Sequence, residues 1–135
     1  MGKLDGKVAI VTGASRGIGA GIATAFAREG AAVVLAARTA DGLRKTAEAC
    51  AAYGGKAVPV PADMTSEADI DAVFAACTAE FGRLDVLVNN AGAFDGGLID
   101  ELSTETWNKV INTNLTAPFL CTRAAMRIMQ PQGVG

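Results

Sequence analysis

The sequence predicts an α/β fold, a doubly wound parallel sheet with helices on both faces, as one domain over residues 1–135. Three observations predict it. Short apolar runs alternate with stretches of helical periodicity in the order β-α-β-α-β-α-β-α. The runs lack polar alternation, as strands covered on both faces do. A glycine-rich turn joins the first run to the first helix.

Residues 7–12 (KVAIVT) are β-branched, bounded by glycine, and read as a buried strand. Residues 18–28 carry Ile18, Ile22, Ala25 and Phe26 at helical spacing, and Gly30 follows as a stop. Residues 32–36 (AVVLA) read as a second buried strand. Asp41 is expected to cap a helix running to about Tyr53, ended by Gly54 and Gly55. Residues 56–60 (KAVPV) form a third strand, and Pro59 places it at an edge. Ser66, with Glu67 and Asp69 behind it, opens a helix to about Phe81, stopped by Gly82. Residues 84–88 form the fourth strand. Ser103, with Thr104 and Glu105, starts a last helical stretch to about Met129, which Pro118 is expected to bend or interrupt. No internal repeat or linker divides the chain.

Composition excludes several functions. Half of the chain is apolar, enough for a core, and the net charge is −2. Lys and Arg are spread along it, so no basic patch points to nucleic acid or an anionic membrane. The longest apolar stretch, residues 31–37, is too short to span a bilayer, and the polar opening of the chain reads as no leader. Cys50, Cys77 and Cys121 are far apart and lack CxxC spacing, so they are expected as buried thiols in a cytoplasmic protein. The sequence has no His, which excludes His-based triads and His-ligated metal, and no metal site is expected.

The turn at residues 12–19 (TGASRGIG) carries the first functional signal. Gly13 would let the chain turn sharply off the strand. Gly17 would let a pyrophosphate approach the backbone, and Gly19 would let the helix press on the sheet. Free N–H groups and the helix dipole then favour phosphate.

The spacing is T-G-x-x-x-G-x-G, and further motifs follow in order. They are Asp63 after the third strand, Asn89-Asn90-Ala91-Gly92 after the fourth, and Asn112-Thr113-Asn114-Leu115 in the last helix. Together these resemble the single-domain short-chain dehydrogenases/reductases, over the N-terminal part of their Rossmann fold. The resemblance implies that Gly13, Ser15, Arg16, Gly17, Ile18 and Gly19 hold the dinucleotide phosphates. It implies Asp63 and the Met64 backbone at the adenine, Asp63 also reading as a helix cap. It implies Asn90, Ala91 and Gly92 along the path to the nicotinamide ribose, and Asn114 as a catalytic-set residue. A helix-interior Asn also bonds readily to backbone.

NAD binders usually place a carboxylate at the end of the second strand. Here Ala37 stands there, followed by Arg38, with Arg16 in the glycine turn. Two guanidinium groups suit a 2′-phosphate, so NADP(H) is expected over NAD(H).

The family's chemistry also needs a Ser, and a Tyr followed four residues on by a Lys. Tyr53 is the only tyrosine, and Ala57 stands four residues after it. The catalytic Ser and Tyr-x-x-x-Lys are thus expected beyond Gly135, after a fifth strand. Two functions compete. One is an NADP(H)-dependent oxidoreductase moving hydride between the cofactor and a small alcohol or carbonyl, with this chain as its nucleotide-binding front part and inactive alone. The other is a non-catalytic dinucleotide-binding fragment or module. An uncovered fourth strand and an apolar last helix (Val110, Leu115, Phe119) also lead us to expect self-association.

Overall fold

The computed structural model describes residues 2–135. Four strands, β1 (Val8–Thr12), β2 (Ala32–Ala37), β3 (Ala57–Pro61) and β4 (Val86–Val88), form one parallel sheet in the order β3-β2-β1-β4. Five α-helices follow the strands: α1 (Gly17–Arg28), α2 (Ala40–Ala51), α3 (Glu67–Phe81), α4 (Thr104–Ile111) and α5 (Ala117–Gln132). A π-helical turn, Asn112–Thr116, joins α4 to α5. The architecture is the Rossmann type that the sequence predicts.

The chain winds outward from β1 through β2 to β3, then crosses back to lay β4 on the other side of β1. Each face of the sheet has its own core. On one, Leu43 and Cys50 of α2 and Ala23 and Ala27 of α1 meet Val11, Val33 and Leu35. On the other, Ile70, Val73, Phe74 and Cys77 of α3 and Cys121 and Ala125 of α5 meet Ile10 and Val34. The three cysteines are free and buried, and burial pushes the Cys77 and Cys121 thiols up to about 11.

Several local expectations are corrected. The buried stripe of α1 is Gly19, Ala23 and Ala27, while Ile18 is 77 % exposed and Ile22 and Phe26 are only partly buried. A helix pressed close to a sheet fits small residues underneath, so the larger ones move to the flanks. The α2 N-cap is Thr39, with no side-chain bond, and Asp41 lies in the first turn instead. There it pairs with Arg44 at 2.8 Å and Lys45 at 3.5 Å, which hold its carboxyl below the usual range. β4 keeps only three ladder residues, half-buried, because β1 alone pairs with it. The last helical stretch is interrupted just ahead of Pro118, as the sequence leads us to expect: the π turn ends at Thr116, and Pro118 is the second residue of α5.

The entry to β4 is fixed by the residues just before it. Asp85, 8 % exposed, accepts from the Val8 N–H at 2.9 Å and pairs with Arg83. Burial works against its charge, but Arg83 and the Val8 amide prevail and hold the carboxyl below its usual range.

Candidate functional site

All four strands are parallel, so their carboxyl ends share one rim. The crossover leaves a crevice there between β1 and β4, the switch point where doubly wound sheets bind ligands. Every residue singled out in the sequence lies in a segment that follows the carboxyl end of a strand. Residues 13–19 leave β1, Arg38 leaves β2, Asp63 and Met64 leave β3, residues 90–92 leave β4, and Asn114 sits in the π turn.

The glycine turn is built for close approach. Gly13 has φ +64°, and a Cβ there would meet the Ala91 Cα at 2.9 Å. A Cβ at Gly19 would overlap the Gly13 carbonyl oxygen and stand 2.6 Å from the Asn90 Nδ2. Gly17 differs: its φ is +58°, yet nothing lies within 4 Å of its missing Cβ. Gly13 and Gly19 are thus glycines because protein fills the space. At Gly17 the backbone faces outward into open room. The N-cap, Arg16, is extended and offers no side-chain bond to the first turn of α1. The amide donors of that turn therefore have no side-chain acceptor, and the helix dipole adds positive potential.

One residue that sequence reasoning passed over ties the two motifs together. The Thr12 hydroxyl, on a residue 2 % exposed, accepts from the Asn90 N–H at 3.0 Å and the Ala91 N–H at 2.9 Å. It donates to the Val88 carbonyl at 3.4 Å. Asn90 answers through its side chain, donating to the carbonyls of Thr12 (3.1 Å) and Gly13 (3.3 Å). The β1 and β4 segments are thereby one hydrogen-bonded unit. The available signal was a hydroxyl residue closing a strand immediately before the glycine turn.

Asn114 is used on the loop after Gly92. Its Nδ2 donates to the Ala93 carbonyl at 2.7 Å, and its Oδ1 accepts from the Ala93 N–H at 2.8 Å. Both ends of the amide hold one backbone residue, and Gly92 keeps the approach open, since its Cβ would stand 3.3 Å from Oδ1. Beyond Ala93 the loop turns outward, with Phe94, Leu98 and Ile99 exposed.

On the β3 side, Asp63 Oδ1 accepts from the Thr65 hydroxyl (2.7 Å) and N–H (2.9 Å). These bonds outweigh the effect of burial and, with Arg38 nearby, hold its carboxyl below the usual range. Arg38 and Arg16 are exposed, and neither has an ion pair among the described residues. Ala37 is buried at the end of β2. Tyr53 lies elsewhere, 54 % exposed, lining an open groove between α1 and α2 with Arg28 and Lys45.

A family model described as short chain dehydrogenase matches residues 7–135. An uncharacterized oxidoreductase of Methylorubrum extorquens is 44% identical over 94% of this chain and 52% of its own length. A galactitol 2-dehydrogenase of Agrobacterium fabrum is 45% identical over 94% of this chain and 48% of its own. A solved metagenomic short-chain oxidoreductase in complex with NADP superposes with a TM-score of 0.93 at 42% identity, covering 98% of this chain and 60% of that one. This chain thus spans about half the length of the curated relatives it matches.

Proposed function

The chain belongs to the short-chain dehydrogenase family, and we propose that it forms the nucleotide-binding half of an NADP(H)-dependent oxidoreductase. The observation that carries this reading is the open first turn of α1. Its amides lack a side-chain cap, Gly17 faces free space, and Asn90 and Ala91 are held opposite by Thr12. In this reading Gly13, Ser15, Arg16, Gly17, Ile18 and Gly19 hold the phosphates. Asp63 and Met64 receive the adenine, and Asn90, Ala91 and Gly92 flank the nicotinamide ribose. A bound nicotinamide supplies hydride exchange with an alcohol or carbonyl carbon. This chain's residues bind and orient it.

The preference for NADP(H) rests on Arg16 and Arg38 with Ala37 between strand and guanidinium, where no carboxylate opposes a 2′-phosphate. The relative solved with NADP supports it. Asn114 is assigned to the catalytic set, acting here by fixing the loop at Ala93 beside the nicotinamide path. With no Tyr-x-x-x-Lys in the sequence, the 135-residue chain is expected to bind cofactor without turning over alcohols. That leaves a second reading, a dinucleotide-binding module, favoured by the presence of the whole phosphate turn. The three buried thiols suit a cytoplasmic setting. Exposed Leu115, Phe119 and Met126 on α5 and its π turn suit self-association.

Titration of the chain with NADPH and NADH, followed by nicotinamide fluorescence and thermal unfolding, tests the reading. NADPH should bind more tightly, and Arg38→Asp should weaken it about tenfold while sparing NADH. Binding of neither nucleotide would sink the proposal.

A further inference from the structure

Helix α2 touches the phosphate turn at two points. The Thr46 hydroxyl, on a residue 4 % exposed, donates to the Ala14 carbonyl at 2.8 Å. Its own helix offers the Gly42 carbonyl at 3.2 Å, the ordinary partner of a helical Thr, but the nearer acceptor is on the turn. The Ala14 N–H is bound in turn to the Ala36 carbonyl of β2 at 3.2 Å. Ala14, fully buried, is therefore anchored through both of its backbone polar groups. One helical turn before Thr46, Gly42 lies against Ser15. A Cβ at Gly42 would stand 2.8 Å from the Ser15 carbonyl oxygen and 2.9 Å from its Cβ.

Gly42 has no positive φ, so turn geometry does not demand glycine there. The third residue of a helix gains from a better helix former, and glycine weakens α2. The close approach to Ser15 is what the missing Cβ permits. We infer that Gly42 and Thr46 are positioning residues for the nucleotide site. They let α2 close on the Ala14–Ser15 segment and fix where the free amides of residues 17–19 stand. The helix that follows Arg38 and the turn that carries Arg16 are thereby set at one spacing. This inference rests on the nucleotide reading above and extends it to a helix that touches no expected cofactor atom.

Two measurements separate positioning from simple stability. Hydrogen exchange on the nucleotide-free chain reads the turn directly. Thr46→Val keeps the shape and removes the donor, so the bonded amides of Ala14 and Ala20, on either side of the free ones, should exchange about five- to tenfold faster, with β1 and β2 unchanged. Thr46→Ser should restore them. Nucleotide titration reads the consequence. Gly42→Ala sets a Cβ 2.8 Å from the Ser15 carbonyl oxygen, so a purely structural role predicts a lower Tm and unchanged binding. Positioning predicts NADPH binding about tenfold weaker, whatever the Tm does. Unchanged exchange in Thr46→Val, or unchanged binding in Gly42→Ala, overturns the inference. If the unsubstituted chain binds neither nucleotide, the earlier reading fails, and hydrogen exchange alone decides whether Thr46 holds the turn.

Discussion

Helices α1 and α3 begin on the same rim of the sheet, yet their first turns are opposites. At α3 the polar groups satisfy one another. Ser66 accepts from the Asp69 N–H, Asp69 accepts from the Asp63 N–H at 2.8 Å, and Asp63 takes both donors of Thr65. Glu67 and Asp69 also put negative charge on that helix end. At α1 there is no side-chain cap and no acidic residue in the first turn. An anion is repelled at one entrance and welcomed at the other. In the proposed reading the phosphates go to the α1 entrance, and the α3 entrance takes the uncharged adenine ring.

Three substitutions or conditions sharpen this contrast. The largest effect is expected at Gly19. Alanine in an exposed helix interior stabilises relative to glycine by about 1 kcal/mol. Here its Cβ would run into the Gly13 carbonyl, and we expect Gly19→Ala to destabilise by about 3 kcal/mol in urea unfolding. A neutral Gly19→Ala would mean that α1 does not press on the turn. Next is Thr12→Val, which strips the acceptor from two amides and should cost about 2 kcal/mol. It should also loosen residues 90–92 in hydrogen exchange, while the α3 entrance keeps its protection. Exchange that rises equally at both entrances would defeat the distinction between them.

The smallest effect is a pH dependence. The Asp63 carboxyl is held below its ordinary 3.8, first by the Thr65 hydroxyl and then by the Thr65 amide. A lowered folded-state value means stabilisation fully present above 3.8 and lost as pH falls through the lower folded value. The Thr65 amide proton should therefore shift in NMR with a midpoint below 3.8. Amides of residues 17–19, with no carboxylate in their turn, should not follow it. A Thr65 midpoint at or above 3.8 would remove the ionised knot from the α3 entrance.

The strands and capped helices were legible because their signals are local. Residues 32–36 are an unbroken apolar run after the Gly30 turn, and Ser66 and Ser103 cap from one residue's own chemistry. The glycine turn was legible for the same reason. What the sequence hid depends on a neighbour distant along the chain. Asp41 looked like a cap because acidic residues favour that position, but the helix starts earlier and gives Asp41 two cations one turn on. The hydroxyls of Thr12 and Thr46 show their roles only once β4 and the Ala14 carbonyl are brought to them. The buried face of α1 was misread for a similar reason. Apolar periodicity finds the largest residues, whereas the sheet accepted the smallest.

The π turn at Asn112–Thr116 amounts to one residue too many for a continuous α-helix. Each residue advances an α-helix by about 100°, so the surplus turns α4 out of phase with α5 by that angle. A plain helical wheel run through both helices therefore misplaces one relative to the other by that angle. A lineage that lost this one residue would keep its length and hydrophobicity almost intact, yet swing Asn114 away from Ala93. Alignments across such a deletion would pair residues that never face the same neighbour.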